Sequence, residues 1–130
     1  MRYLIEALKI VTDKFCSTRL LIIGSGPEKL NLTNLVDKLN LGNNVSFLGE
    51  IDNTKMKDYY SVADIFIIPS ISVDGHKEGL GVVTIEAMAC GAPAIGTNSG
   101  GIPDVIIDNY NGFLVPEKSS KVLGEKIITL

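Results

Sequence analysis

Two carboxylates, Glu78 and Glu86, stand in the stretch EGLGVVTIEAMACG over residues 78–91, where nearly every other side chain is apolar or small. Gly79 and Gly81 leave the backbone bare just ahead of a helical run, so several free N–H groups at the helix start can point at one anion. A carboxylate one turn further on can accept hydrogen bonds from paired sugar hydroxyls while a diphosphate sits against the helix start. With residues spaced at about 100° and Val82 set at zero, Glu86 falls near 40°, Val83 near 100° and Cys90 near 80°. Glu86 therefore shares its face with Val82, Val83 and Cys90, and Thr84 and Met88 lie opposite. If that face is turned inward, an ionised carboxylate there must find good donors or cost stability. The bland alternative is a carboxylate at the rim of a helix, exposed or paired to a nearby lysine.

A second glycine loop, GSGP at 24–27, follows a short aliphatic run and opens another helical one. Gly24 and Gly26 permit a tight turn and close approach to the backbone. A dinucleotide fingerprint G-x-G-x-x-G needs a glycine where Lys29 stands, so the loop reads as a plain strand–helix turn or a nucleotide-proximal loop, and least well as an NAD site. His76, the single histidine, reads as a variable loop residue. Cys16 and Cys90 fall in helical, apolar contexts without CxxC or Cys/His pairing, which suits reduced thiols. No D-x-D or histidine cluster offers metal ligands.

The elements that must position these residues alternate regularly. Strand candidates are Leu20–Ile23, Val45–Leu48, Ile65–Ile68, Pro93–Gly96 and Gly112–Val115, each short, aliphatic and bounded by Gly, Pro, Asn or Asp, the pattern of strands buried on both faces. Helix candidates are Arg2–Phe15, Pro27–Leu39, Lys55–Val62, Gly81–Cys90, Ile102–Ile107 and Ser119–Leu130, with Pro27 suited to a first helical position. Such alternation predicts an α/β fold, an open parallel sheet with right-handed crossovers, whose ligands bind beyond the carboxyl ends of the strands. Gly100 and Gly101 then make a turn into a helix, with a secondary contact to ligand open to them. The 130 residues suit one domain, and 45% hydrophobic with 21% charged residues is a globular composition. A net charge of −3 argues against nucleic acid, which needs a basic footprint, but leaves a small phosphorylated ligand open. No run approaches a membrane span and no signal peptide precedes the first helix, so the expected location is cytoplasmic, membrane-peripheral at most in a full-length enzyme.

The stretch EGLGVVTIEAMACGAPAIGTNSGGIPDVIIDNYNGFLV resembles the signature of GT-B nucleotide-sugar glycosyltransferases, family 4 in particular. Glu78 and Glu86 have that family's E-x7-E spacing, and ADIFIIPS, EAMACGAPAI, GGIPD, NGFLV, YLIEALKIV, LLIIGSGPE and VSFLG also fit. The likeness covers essentially the whole chain. It implies a Rossmann-like three-layer domain over residues 1–130, the C-terminal, nucleotide-sugar-binding half of a GT-B fold. Carried over by position, Glu78 lies beside the donor sugar at the reaction centre, and the backbone from Gly79 and Leu80 through Gly81, Val82 and Val83 holds sugar and diphosphate. Glu86 binds the ribose hydroxyls, and Glu50 and Ile51 border the base. The implied chemistry is glycosyl transfer with retention, a nucleotide diphosphate sugar as donor substrate, and no cofactor or obligatory metal.

The resemblance also implies a piece truncated at its N-terminal end. The family's domain opens with a strand followed by an arginine and a lysine that neutralise the diphosphate, whereas this chain opens inside the first helix, at RYLIEALKIV. The N-terminal acceptor domain is expected to be missing too, leaving the chain inactive alone. Without the first strand, LLII and IFII lose their common neighbour. The expectation is a rearranged sheet with the two paired directly, a strand borrowed through self-association, or a fragile fragment. Rival functions are a stand-alone nucleotide-sugar-binding module without catalysis, or half of a dehydrogenase or epimerase, the latter disfavoured by the missing third glycine.

Overall fold

The computed structural model describes residues 1–24, 26–69 and 81–130. Helices and strands alternate strictly: α1 (Arg2–Lys14), β1 (Leu20–Ile23), α2 (Lys29–Lys38), β2 (Val45–Gly49), α3 (Asn53–Val62), β3 (Phe66–Ile68), α4 (Gly81–Ala89), β4 (Ala94–Thr97), α5 (Ile102–Val105), β5 (Phe113–Val115) and α6 (Ser120–Thr129). Element order and type match the sequence pattern, with ends displaced by a residue or two. At α2 the start is displaced by two residues: the helix begins at Lys29 with Glu28 at its N-cap, so Pro27 belongs to the turn and not to the first helical position.

All strand pairs are parallel, and among the described residues they form two sheets, β1–β2 and β3–β4–β5. The direct pairing of LLII with IFII does not occur: β1 pairs with β2 from Leu20 opposite Val45, and β3 pairs with β4 from Phe66 opposite Ala94. Each strand keeps the parallel neighbour that its own short helical crossover supplies. The chain correspondingly forms two compact units, residues 1–52 with 120–130, and residues 53–119.

In the first unit the apolar stripe of α1, Leu4, Ile5, Leu8 and Val11, follows helical spacing and is buried. Ile5 and Leu8 join Ile22, Val36, Leu41 and Val45 in one core, flanked by Leu20, Leu32, Leu35, Leu39 and Phe47. Asn44 closes the turn before β2 by donating through Nδ2 to the carbonyls of Cys16 and Thr18, at 3.0 and 2.8 Å. Cys16 follows the end of α1 and is exposed, not in the apolar setting its flanks suggested; Cys90 is half-buried. Leu21, in the middle of β1, is 45% exposed, so this strand is not covered on both faces.

In the second unit all four residues of β4 are buried. Ile68, Ala94, Ile102 and Ile106 form the core, with Phe66, Val83, Met88 and Leu114 packed around it. The turn before β5 is tied by Asn111, whose Oδ1 accepts from the Ile107 N–H at 2.7 Å and whose Nδ2 donates to the Val105 carbonyl at 2.9 Å. Asp108 Oδ1 accepts from the Leu114 N–H at 2.9 Å. Among the described residues no helix is long and apolar enough to cross a membrane.

Candidate functional site

In the second unit, α4 leads from β3 into the parallel β4, so its first turn lies at the carboxyl end of these strands, where ligands gather in open α/β sheets. Gly81, Val82 and Val83 open that turn, and the first N–H groups of a helix have no partner within it. Glu78, Gly79, Leu80 and His76 lie outside the described residues.

Glu86 is exposed, so of the two orientations left open the outward one holds. The inward arc of α4 is the opposite one: Thr84 and Ala87 are fully buried, and Val83 and Met88 flank them half-buried against the core of Ile68, Ala94, Ile102 and Ile106. Small residues on that arc let the helix lie close on the sheet, and the carboxylate is left on the outer side. Glu86 is thus not a buried charge in need of rescue; it is a carboxylate open to solvent or ligand one turn beyond the helix start. No lysine pairs with it among the described residues.

A neighbour of Glu86 that sequence reasoning missed is Tyr60 on α3. Its pKa is raised above 10.0 by burial first, then by the nearby Glu86 carboxylate and Cys90 thiol. Nothing in the order of residues links 60 to 86; the packing of α3 on α4 does. The other flank of α4 carries an apolar hollow of about 530 Å³ whose lining includes Ile85, Met88, Ala89, Asp104, Val105 and Asn111. At the end of β4 Thr97 is buried, as is Ser99 beyond it; Gly100 takes a φ of +52°, and Gly101 is the N-cap of α5, so the glycine pair does make the turn into a helix.

In the first unit one backbone hydrogen bond joins two of the loops expected to carry the site. The N–H of Gly24 donates to the Gly49 carbonyl at 2.7 Å, tying the GSGP loop to the end of β2, just before Glu50 and Ile51. Gly24 has φ +117° and Gly49 φ +69°, backbone shapes that favour glycine. A Cβ at Gly24, Gly26 or Gly49 would meet nothing within 4 Å, so no packing requirement explains the missing side chains. Glu50 is exposed and Ile51 half-buried. This end of β1 and β2 is therefore a bare-backbone edge beyond the carboxyl ends of the strands, shaped for close approach.

Parallel sheets flanked by helices, with glycine-rich turns at the strand ends, define a Rossmann-like α/β domain of the GT-B type. The family model for glycosyl transferases group 1 matches residues 1–130, and the chain belongs to that family. It is 37% identical over 122 residues to the N-acetyl-alpha-D-glucosaminyl L-malate synthase of Bacillus anthracis, covering 94% of this chain and 30% of that protein. The C-terminal domain of a group 1 family glycosyl transferase from Francisella tularensis superimposes with a TM-score of 0.83 at 32% identity, covering 99% of this chain and 67% of that one. An Anabaena protein, HepE, solved in complex with UDP-glucose, superimposes with a TM-score of 0.81 at 25% identity, over 98% of this chain and 34% of that one.

Proposed function

We propose that this chain is the donor-binding domain of a retaining glycosyltransferase that moves a sugar from a nucleotide diphosphate sugar to an acceptor. The observation that carries this reading is the exposed Glu86 one turn after the glycine-led start of α4, at the carboxyl end of β3 and β4. The helix start offers unpaired N–H groups and a positive dipole end to a diphosphate. Glu86 offers two acceptor oxygens to a ribose diol. Glu78 would stand beside the donor sugar, and Gly24, Gly26, Glu50 and Ile51 would border the nucleotide. Family membership and the likeness to a protein solved with UDP-glucose support a nucleotide-sugar ligand.

The proposed chemistry is positioning and electrostatic: amides at the helix start stabilise charge on the leaving diphosphate as the anomeric bond breaks. It calls for no metal and no cofactor. Acceptor recognition would fall to a further, N-terminal domain, and the proposed place of action is the cytoplasm.

Calorimetric titration with UDP tests the reading. The wild-type chain is expected to saturate, and Glu86→Gln to bind about tenfold or more weakly, because hydrogen bonds to a charged group contribute about 1.5–3 kcal/mol. Equal affinities for the two would remove Glu86 from the site. In a transfer assay with UDP-glucose the purified chain alone is expected to show no turnover; robust transfer would overturn the division of labour proposed.

A further inference from the structure

Asn111 and Gly112 form the only Asn–Gly pair in the chain, and they lie in the turn that joins α5 to β5. The fold imposes both residue types there. Asn111 uses both ends of its carboxamide: Oδ1 accepts from the Ile107 N–H at 2.7 Å, and Nδ2 donates to the Val105 carbonyl at 2.9 Å. An ionised aspartate could accept the first bond but not donate the second. At Gly112 a Cβ would come 2.7 Å from the Ala94 carbonyl oxygen and 3.1 Å from Ile106 Cγ2, so any side chain there forces its surroundings to move. The pair that packing selects is also the one most open to intramolecular attack. A residue without Cβ leaves its backbone nitrogen unhindered and free to adopt the shape that reaches the preceding side chain.

We propose that Asn111 is a deamidation site gated by the opening of this turn. Once the turn is open, the Gly112 nitrogen attacks Asn111 Cγ and forms a C–N bond. Its proton passes to the departing amide, and the Cγ–Nδ2 bond breaks with loss of ammonia. Water then opens the resulting cyclic imide at either carbonyl, leaving aspartate or isoaspartate. In the closed turn both reacting groups are held. The carboxamide is fixed by its two hydrogen bonds, and Gly112 by its bridge to Asp108 and by its carbonyl, which accepts from the Asn109 N–H at 3.0 Å. Asp108 Oδ1 fastens the far side of the turn through the Leu114 N–H at 2.9 Å. Asn111 is half-buried next to Tyr110, which is 83% exposed, so water reaches the imide at this surface. The product does not rebuild the turn. A carboxylate opposite the Val105 carbonyl offers no donor, and isoaspartate lengthens the backbone by a methylene just ahead of β5, whose Phe113 is in register with the buried Ile95 of β4.

The test follows deamidation of the purified chain by peptide mass mapping at mildly alkaline pH across a urea series. In concentrated urea Asn111 is expected to react first among the asparagines. Without urea its rate should be about tenfold or more lower, since both hydrogen bonds of its side chain must break before the turn opens. Between these limits the rate should rise with the fraction of chain unfolded. Asp108→Ala is expected to speed the reaction about three- to tenfold without urea and to leave it unchanged in urea, because it loosens the turn and not the chemistry. Asn111→Asp should lower the folding equilibrium constant about fivefold or more, read from its urea midpoint. Another asparagine reacting first in urea overturns the site. Equal rates with and without urea overturn the gating, a readout that stands even if Asp108→Ala fails to fold; a folded Asp108→Ala that reacts no faster than wild type does the same. A wild-type midpoint for Asn111→Asp overturns the claim that the product cannot rebuild the turn.

Discussion

The two sheets use similar residues to different ends. In the second unit β4 is central and wholly buried, with Ile95 at 0% exposure, and Gly96 and Gly112 are pressed against their surroundings. A Cβ on Gly96 would come 2.5 Å from Ile102 Cγ2, and one on Gly112 would come 2.7 Å from the Ala94 carbonyl oxygen. In the first unit β1 has an exposed leucine at its middle, and Gly24, Gly26 and Gly49 face open space. Glycine thus serves close packing around β4 and β5 and leaves a bare, approachable backbone at the ends of β1 and β2. The lesson is that counting glycines near strand ends does not identify a ligand loop. What separates the cases is whether a side chain there would have met anything.

The sharpest way to break that comparison is truncation in the two strands. Ile95→Ala is expected to cost about 3 kcal/mol in urea denaturation, as a fully buried branched side chain leaves a cavity. Leu21→Ala should cost under about 1 kcal/mol, since nearly half the side chain is already in water. Equal losses would mean that the exposure of β1 is not a property of the folded protein.

The glycines sharpen it further. Gly112→Ala is expected to destabilise by about 1–3 kcal/mol, because the obstructing atom is a backbone oxygen that cannot swing aside. Gly24→Ala should cost about 1 kcal/mol, from strain at positive φ and not from contact. Gly26→Ala is expected to change stability by less than about 0.5 kcal/mol, the usual range for a surface substitution free of special features. The same Gly26 variant should nevertheless weaken UDP binding if the loop lies against the nucleotide. A Gly26→Ala chain that is destabilised as much as Gly112→Ala would show that the GSGP loop is packed, and a simple strand–helix turn would then suffice.

Much of this was legible in the order of residues. Short aliphatic runs separated by helical spacing specified every described strand and helix, because period and breaker residues are local signals. The start of α2 was misread because Pro27 suits either a first helical position or the turn before it, and local sequence does not choose between them. The orientation of Glu86 was left open for a related reason. A helical projection says which residues share a face, but not which face turns inward. Burial of Thr84 and Ala87 shows that small residues, not the most apolar ones, line the contact with the sheet.

The sequence by itself determined the alternation of elements, the family and the spacing of its two glutamates, since each is a property of neighbours along the chain. Tertiary structure alone decided which arc of α4 meets the core, that Gly24 is bonded to Gly49, and that Tyr60 comes within electrostatic reach of Glu86. These are contacts between residues some 25 positions apart, set by how helices and strands pack. A periodic pattern cannot encode them, because the same pattern is compatible with more than one packed face.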